Sequence, residues 1–350
     1  MEKHPNRYLN EFAALFVLNY LRHSGYKRTG TYINNAVWNF LENAEISPNT
    51  FPTDLSDLAH QAAIVQRRLV LEGRQNTSLR SVRHEYPQLM PVISHGPQAW
   101  LINTYRPLLE YLLEIDLGQL EYGIDKDRYR IIEENVMAAR MMFENASKSI
   151  ANELVATYAN IPNLGLFGGG EGNGAAMHTN LLAFHQQNIF PDFLLSDIDP
   201  KTKKVAEKFF RERGYQSKHF PWMKIDIGNP NDLALVAKHF SWHKLIVNVN
   251  FIVHELEPIA EKFFKATSKS TPNADLVISE FFEPEDYSNI GPDFPHWFVL
   301  LHKLSRQSLR TEKDFMRYPT RYGYKLMDHR IDHQKYNSTP VTSTLFFTKK

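Results

Sequence analysis

The hydrophobic rhythm of the chain changes near residue 160. Before that point apolar side chains recur at three- and four-residue spacing; after it they come in short unbroken runs between helix-compatible stretches. In the first part, Leu9, Phe12, Ala13, Phe16, Leu18, Tyr20 and Leu21 predict a helix that stops at the His23-Ser24-Gly25 breaker. A second helix carries Val37, Trp38, Phe40 and Leu41, and a third runs from Leu55 to Leu71 and ends at Gly73. Pro97 stands where a first-turn proline belongs, ahead of Trp100, Leu101, Leu108, Leu109, Leu112 and Leu113, with Pro107 as a kink. A charged amphipathic stretch from Asp125 to Tyr158 follows, through Ile131, Ile132, Val136, Ala139 and Met142. These patterns predict an all-helical domain over residues 1–125, then an α/β domain over 126–350 entered through a connecting helix at 126–160.

The second texture predicts a mostly parallel sheet with crossover helices. Its strands are Leu164–Phe167, Phe193–Asp197, Met223–Asp226, Lys244–Val249 and Asp275–Ser279. Helices are expected after the first strand to Gln187, from Pro200 to Arg213, from Leu256 to Ala266 and from His296 to Arg310. Two last strands, Tyr322–Leu326 and Thr342–Thr348, read as an antiparallel pair closing one edge. The fold class is therefore α/β, a Rossmann-like doubly wound sheet behind a helical domain.

Six of the sixteen glycines fall within residues 165–174, between the first strand and its helix. A strand that turns through glycines into a helix brings backbone N–H groups and the positive end of the helix dipole against a ligand. A flexible linker would have polar, serine-rich flanks, whereas Ile161, Leu164, Leu166 and Phe167 stand before this turn and Met177, Leu181 and Leu182 after it. Gly170-Glu-Gly172-Asn-Gly-Ala175 satisfies a dinucleotide pattern, and Gly168-Gly-Gly170-Glu-Gly172 satisfies that of S-adenosylmethionine (SAM) sites. Each is weak alone. The neighbours favour the second: Asp197 ends the second strand, with Ile198 just after it, where an acid takes ribose hydroxyls, and Asp226 ends the third, with Ile227 just after it, where a carboxylate suits adenine. Any one of these acids could instead form a turn, Asp199-Pro200 especially.

The fourth strand runs through Asn248 and Asn250 into His254-Glu255 just before a helix. If that strand neighbours the first, His254 shares the crevice of the glycine turn, and imidazole is well suited to take a proton near neutral pH. A histidine that merely starts the helix is the plainer alternative, in a chain with fifteen histidines.

Composition narrows the classes. The absence of cysteine removes disulfides, thiolate metal sites and a thiol nucleophile. Net charge is +1 and apolar content 43%, which argues against disorder or an extended nucleic-acid track. The basic stretch Arg67, Arg68, Arg74, Arg80 and Arg83 could touch RNA, but a solvated helix face explains it more cheaply. His95, His178 and His185 lack metal spacing, so no metal is expected. No apolar run reaches membrane-spanning length and the first residues do not form a signal peptide, so the expected compartment is the cytoplasm.

The segment Leu164–Phe347 resembles the plant-type and hydroxyindole-type small-molecule O-methyltransferases, a family of class I SAM-dependent enzymes. The resemblance rests on Gly168-Gly-Gly-Glu-Gly172, His254-Glu255, Leu276-Val-Ile-Ser-Glu280 and Arg310-Thr-Glu-Lys-Asp-Phe315. It implies a SAM site built from Gly168, Gly169, Gly170, Glu171, Gly172, Asp197, Ile198, Asp226, Ile227, Asn248 and Asn250, with S-adenosylhomocysteine (SAH) as product. It implies His254 as general base toward a hydroxyl of a small-molecule acceptor, with Glu280 or Glu312 to orient the ring. It also implies that the N-terminal helices form a homodimer interface and one wall of the acceptor pocket. The chain departs from the family at Leu166, where an acid is usual, at Leu256, where a tryptophan is common, and at Asn250, where a lysine is common. A methyltransferase-like fold kept as a binding scaffold, an RNA or protein acceptor, and an NAD(P) oxidoreductase are the competing readings.

Overall fold

The apolar runs assemble into a seven-stranded sheet of order β3-β2-β1-β4-β5-β7-β6. The computed structural model describes residues 10, 13–14, 17, 21, 32–46, 147–170, 172, 174–215, 220–253, 259–287, 290–291, 294–304, 309–336 and 339–349. The helices expected over 55–71 and 97–113, and the first part of that expected over 125–158, lie outside these residues. The chain divides into two compact units, residues 1–139 with 286–306, and residues 140–285 with 307–350.

In the first unit, helix α1 (Tyr32–Asn43) packs with α7 (His296–Leu304). Residues Asn10, Ala13, Ala14, Val17 and Leu21 are helical and buried, at the spacing the sequence predicts. Asn10 Nδ2 donates to the Phe294 carbonyl at 2.8 Å, and the Trp297 N–H donates to Asn10 Oδ1 at 2.9 Å, which satisfies backbone groups at the start of α7.

The second unit opens with α2, helical over residues 147–158. Then come β1 (Leu164–Gly169), α3 (Ala175–His185), β2 (Asp192–Asp197), α4 (Thr202–Arg211) and β3 (Trp222–Lys224). They are followed by α5 (Pro230–His239), β4 (Lys244–Asn250), α6 (Ile259–Ser270) and β5 (Asp275–Phe281). After α7 come α8 (Glu312–Arg321), β6 (Tyr324–Tyr336) and β7 (Thr339–Lys349). Strands β1 to β5 are mutually parallel, while β7 runs antiparallel to both β5 and β6.

Strand alternation sorts the side chains into two cores. Phe167, Leu194, Val247, Val249, Leu276 and Ile278 meet α5, α6 and α8 through Leu233, Val236, Phe263, Phe264 and Phe315. On the other face Leu164, Leu166, Leu195, Ile246, Val277 and Phe346 meet α2, α3 and α4 through Ile150, Leu154, Met177, Phe184 and Phe210. Burial on both faces is why these strands read as continuous apolar runs rather than alternating ones.

Several boundaries differ from the sequence expectation. The third strand stops at Lys224, so Asp226 lies beyond it, where local turn bonds hold the backbone. Helix α5 has a cap the apolar pattern hides: Asn229 accepts from the Asn231 N–H at 3.0 Å and Pro230 fills the first helical position. Helix α8 is likewise set by its cap, Thr311 accepting from the Asp314 N–H at 3.2 Å. Helix α7 ends at Leu304, and Arg310 instead bridges Phe282 in an extended pairing. Strand β6 continues ten residues past the predicted Leu326, to Tyr336, because β7 supplies ladder partners along that length. No described helix is long and apolar enough to cross a membrane.

Helix α5 approaches the sheet at Gly165. A Cβ there would stand 2.4 Å from Cδ1 of Phe240, which is itself buried. Gly165→Ala is therefore expected to lower unfolding free energy by about 1–3 kcal/mol, the range for overpacking a core. Urea denaturation would measure this, and the loss should shrink in a Phe240→Leu background, where the ring is gone.

Candidate functional site

Strand β1 has β2 on one side and β4 on the other, so the sheet's winding reverses there. The register Gly168↔Leu195 and Gly169↔Val249 brings the ends of β2 and β4 level with the glycine turn. Gly170, Gly172 and Gly174 all take left-handed backbone angles, with φ of 67°, 55° and 74°. A Cβ on Gly170 would collide with Ile252 Cδ1 at 1.9 Å, so that position is reserved for glycine both conformationally and sterically, whereas Gly172 is reserved by its backbone angle alone. Helix α3 starts directly after Gly174 with no side-chain cap. Glu171 lies outside the described residues.

Asp197 closes the turn from β2. Its Oδ2 accepts from the Gly172 N–H at 3.2 Å and its Oδ1 from the Asp199 N–H at 2.9 Å. Burial raises the Asp197 carboxyl above the usual carboxylate range, against the lowering effect of the N–H groups of Asp199, Gly172 and Ile198. Ile198 beside it is 62% exposed, an apolar side chain held out at the rim. Ser196 Oγ donates to the Gly168 carbonyl at 3.1 Å and ties β2 to the turn.

Asp226 Oδ1 accepts from the Gly228 N–H at 2.8 Å, and the Asp226 N–H donates to Asp232 Oδ2 at 2.9 Å. The turn-forming role open for these acids is thus present here, beside half-buried exposure of the carboxylate. Ile227 is buried, with its Cγ2 2.9 Å from where a Cβ of Gly169 would sit. It supports the turn from below.

Strand β4 places two amides at successive levels of the other wall. Asn248 pairs in register with Gly168, is 1% exposed, and neither its oxygen nor its nitrogen has a hydrogen-bond partner within the protein. An amide buried in this way costs about 1–3 kcal/mol unless a ligand or water satisfies it. Asn250 Oδ1 accepts from Ser279 Oγ at 2.8 Å. Phe251 then adopts φ 55°, unusual for a bulky residue, while its N–H donates to the Ser279 carbonyl at 2.8 Å. His254 lies outside the described residues, three positions beyond this turn.

Glu280 is buried at the end of β5, where its Oε1 accepts from the Phe281 N–H at 2.9 Å. Glu312 is held in a bidentate pair by Arg330 at 2.5 and 2.8 Å. Arg330 also donates to Asp332 and to Ser343 Oγ, and Ser343 is the register partner of Glu280. The two glutamates therefore flank one arginine-centred cluster. Arg330, Asp332 and Ser343 escaped sequence reading because only the β6–β7 register brings them there. Ser196 and Ser279 had a visible signal: each is a lone hydroxyl next to the acid that ends an apolar strand. Among the described residues no group of three or more histidine or carboxylate side chains could hold a metal ion.

No family model and no curated protein matches the chain by sequence. Solved structures do match in shape. The citrinin polyketide synthase CMeT domain superposes with a TM-score of 0.63 at 13% identity, over 99% of this chain and 89% of that one. The CurJ carbon methyltransferase superposes with a TM-score of 0.57 at 10% identity, over 98% and 92%. The chain has the methyltransferase fold. In that fold the glycine turn, Asp197 and the β4 amides share one crevice at the carboxyl ends of the strands.

The raised Asp197 pKa carries a stability consequence. A carboxyl whose folded pKa exceeds its unfolded value of about 3.9 opposes folding when ionised, and this penalty fades as pH falls through the folded pKa. Asp197→Asn should thus raise the urea midpoint of the ligand-free protein at pH 7 and lose that advantage near pH 4. Equal gains at both pH values would show that the charge is not the cause.

Proposed function

We propose that the chain is a SAM-dependent methyltransferase that moves a methyl group to a small-molecule acceptor. The observation that carries this reading is the closure of Asp197 on the Gly172 N–H at the point where the sheet reverses. The residues fit the cofactor on their own chemistry. Gly169 and Gly170 leave no room for a Cβ in the turn, Asn248 is a buried amide in need of a partner, and exposed Ile198 offers an apolar contact beside an acid.

In this reading the turn receives the methionine portion, Asp197 the ribose hydroxyls, and Ile198 and Asp226 the adenine. When bound, SAM supplies an activated methyl on a sulfonium; the acceptor atom forms the new bond to carbon while the sulfur keeps the electron pair of the broken one. The protein holds the two in line, which is most of the catalysis such a displacement needs. It also removes the acceptor's proton, and His254 is the base assigned to that step, with the carboxylate of Glu280 or Glu312 orienting the ring and supporting the imidazolium. A hydroxyl acceptor is the primary reading, resting on the histidine-acid pair and the Arg310–Phe315 segment. A carbon acceptor is the second, favoured by the whole-chain likeness to the CurJ carbon methyltransferase. The 13C shift of a methyl transferred from labelled SAM separates oxygen from carbon.

The N-terminal segments are proposed to form a homodimer interface and an acceptor-pocket wall, since sequences so rich in Leu, Phe, Tyr and Trp need a partner surface. Light scattering at micromolar concentration should give twice the chain mass, and a monomer would remove the dimer.

Titration of SAH should give saturable binding to the wild-type protein, while binding of a nicotinamide nucleotide in its place would support an oxidoreductase. His254→Ala should leave SAH affinity nearly unchanged and cut turnover by about 10²- to 10⁴-fold, the span for a general base. Near-normal turnover in that variant would assign the histidine a structural role.

A further inference from the structure

Four polar side chains cross the α3–α4 face of the sheet in one row, from the crevice wall to the far edge. Asn250, Ser279 and Thr344 are direct cross-strand partners on β4, β5 and β7. Ser279 Oγ lies 2.8 Å from Asn250 Oδ1 and 2.8 Å from Thr344 Oγ1, and His333 Nε2 lies 2.7 Å from Thr344 Oγ1. Ser279 and Thr344 are fully buried. His333 reaches the row because β6 slips its register between Asp332 and Gln334, and such a bulge re-aims a side chain.

Counting hydrogens fixes the direction of the row. A hydroxyl has one proton to give. Ser279 gives its proton to the Asn250 oxygen, so it must accept from Thr344. Thr344 has then spent its proton and must accept from His333, whose ring therefore carries hydrogen on Nε2. Burial lowers the His333 pKa against the opposite pull of Asp332, so the ring is neutral near pH 7 and carries a single proton to place. The terminal result is an Asn250 amide whose oxygen is committed inward to β5, leaving nitrogen as the limb not committed to Ser279. An inverted amide would reverse every bond and move the ring proton to Nδ1.

We propose that His333, Thr344 and Ser279 are positioning residues that hold the Asn250 amide in one orientation at the β4 wall, so that its nitrogen donates to the carboxylate of the cofactor's methionine portion. This rests on the methyltransferase reading above. It also gives a reason for Asn250, the residue that stands where lysine is common in the resembling family. A neutral donor with two N–H groups still suits a carboxylate, provided that its oxygen is turned away. The row of hydroxyls turns it away.

The test combines calorimetric SAH binding with the histidine tautomer read in long-range 1H–15N spectra of 15N-histidine-labelled protein. Thr344→Val keeps side-chain volume but breaks the row and is expected to weaken SAH roughly tenfold, about the worth of one well-placed hydrogen bond. Thr344→Ser should restore the affinity. In an Asn250→Ala background, Thr344→Val should add nothing, because its effect passes through that amide. The His333 resonance, identified by its loss in His333→Gln, should show the Nε2–H form in wild type. Unchanged SAH affinity in Thr344→Val, additive losses in the double variant, or an Nδ1–H ring would each overturn the proposal. Wild-type protein that binds no SAH would instead overturn the methyltransferase reading itself, and the cofactor role of the row with it.

Discussion

The reversal of winding at β1 is the constraint from which the site follows. Because β2 and β4 both pair with β1, their following loops diverge to opposite faces and leave a crevice above Gly168 and Gly169. Everything brought there comes from a strand end: Asp197 from β2, Asn248 and Asn250 from β4, Ser279 and Glu280 from β5. Those ends keep their places because each strand is anchored lower down by residues buried on both faces. Phe167, Val247 and Leu276 on one side and Leu166, Ile246 and Val277 on the other are all 1% exposed or less.

The costs of the site are concentrated in a few residues. Asp197 is held with a raised pKa, Asn248 is buried without partners, and Phe251 sits in a left-handed conformation. Each is unfavourable in isolation, and each lies at the carboxyl edge of the sheet. The opposite edge is arranged differently. There Asp275, which begins β5, meets Lys244 at 3.0 Å and accepts from Tyr158 at 3.1 Å. The Asp275 carboxylate is thus compensated inside the protein, whereas the Asn248 amide near the carboxyl edge has no partner within it.

How much of this was legible depended on how local the signal was. The glycine turn, the five parallel strands and Asp197 were readable because their determinants lie within a few residues of one another. The caps at Asn229 and Thr311 are also local, yet short helices with mixed faces give a poor periodic signal, and the bounds of neither helix were read from the sequence. Asp226 was readable as an acid near a strand end, but the sequence could not tell that its oxygen folds back onto Gly228. The long-range part was out of reach. Thr344 lies 65 residues from Ser279, and His333 meets Thr344 only through a register slip that no pattern of hydrophobic residues encodes. Glu312 likewise looked like a candidate in its own right, whereas its partner Arg330 sits eighteen residues away on a different element.

Phe251 has a further implication for how this chain can change over time. A bulky residue with φ 55° stores about 1–3 kcal/mol that glycine or asparagine would release. Random drift under selection for folding alone would therefore favour Gly or Asn at this position, and laboratory evolution for thermostability would do the same. Position 251 is thus one where stability alone does not account for the residue present. The residue found there in related chains would record whether selection for folding alone had prevailed.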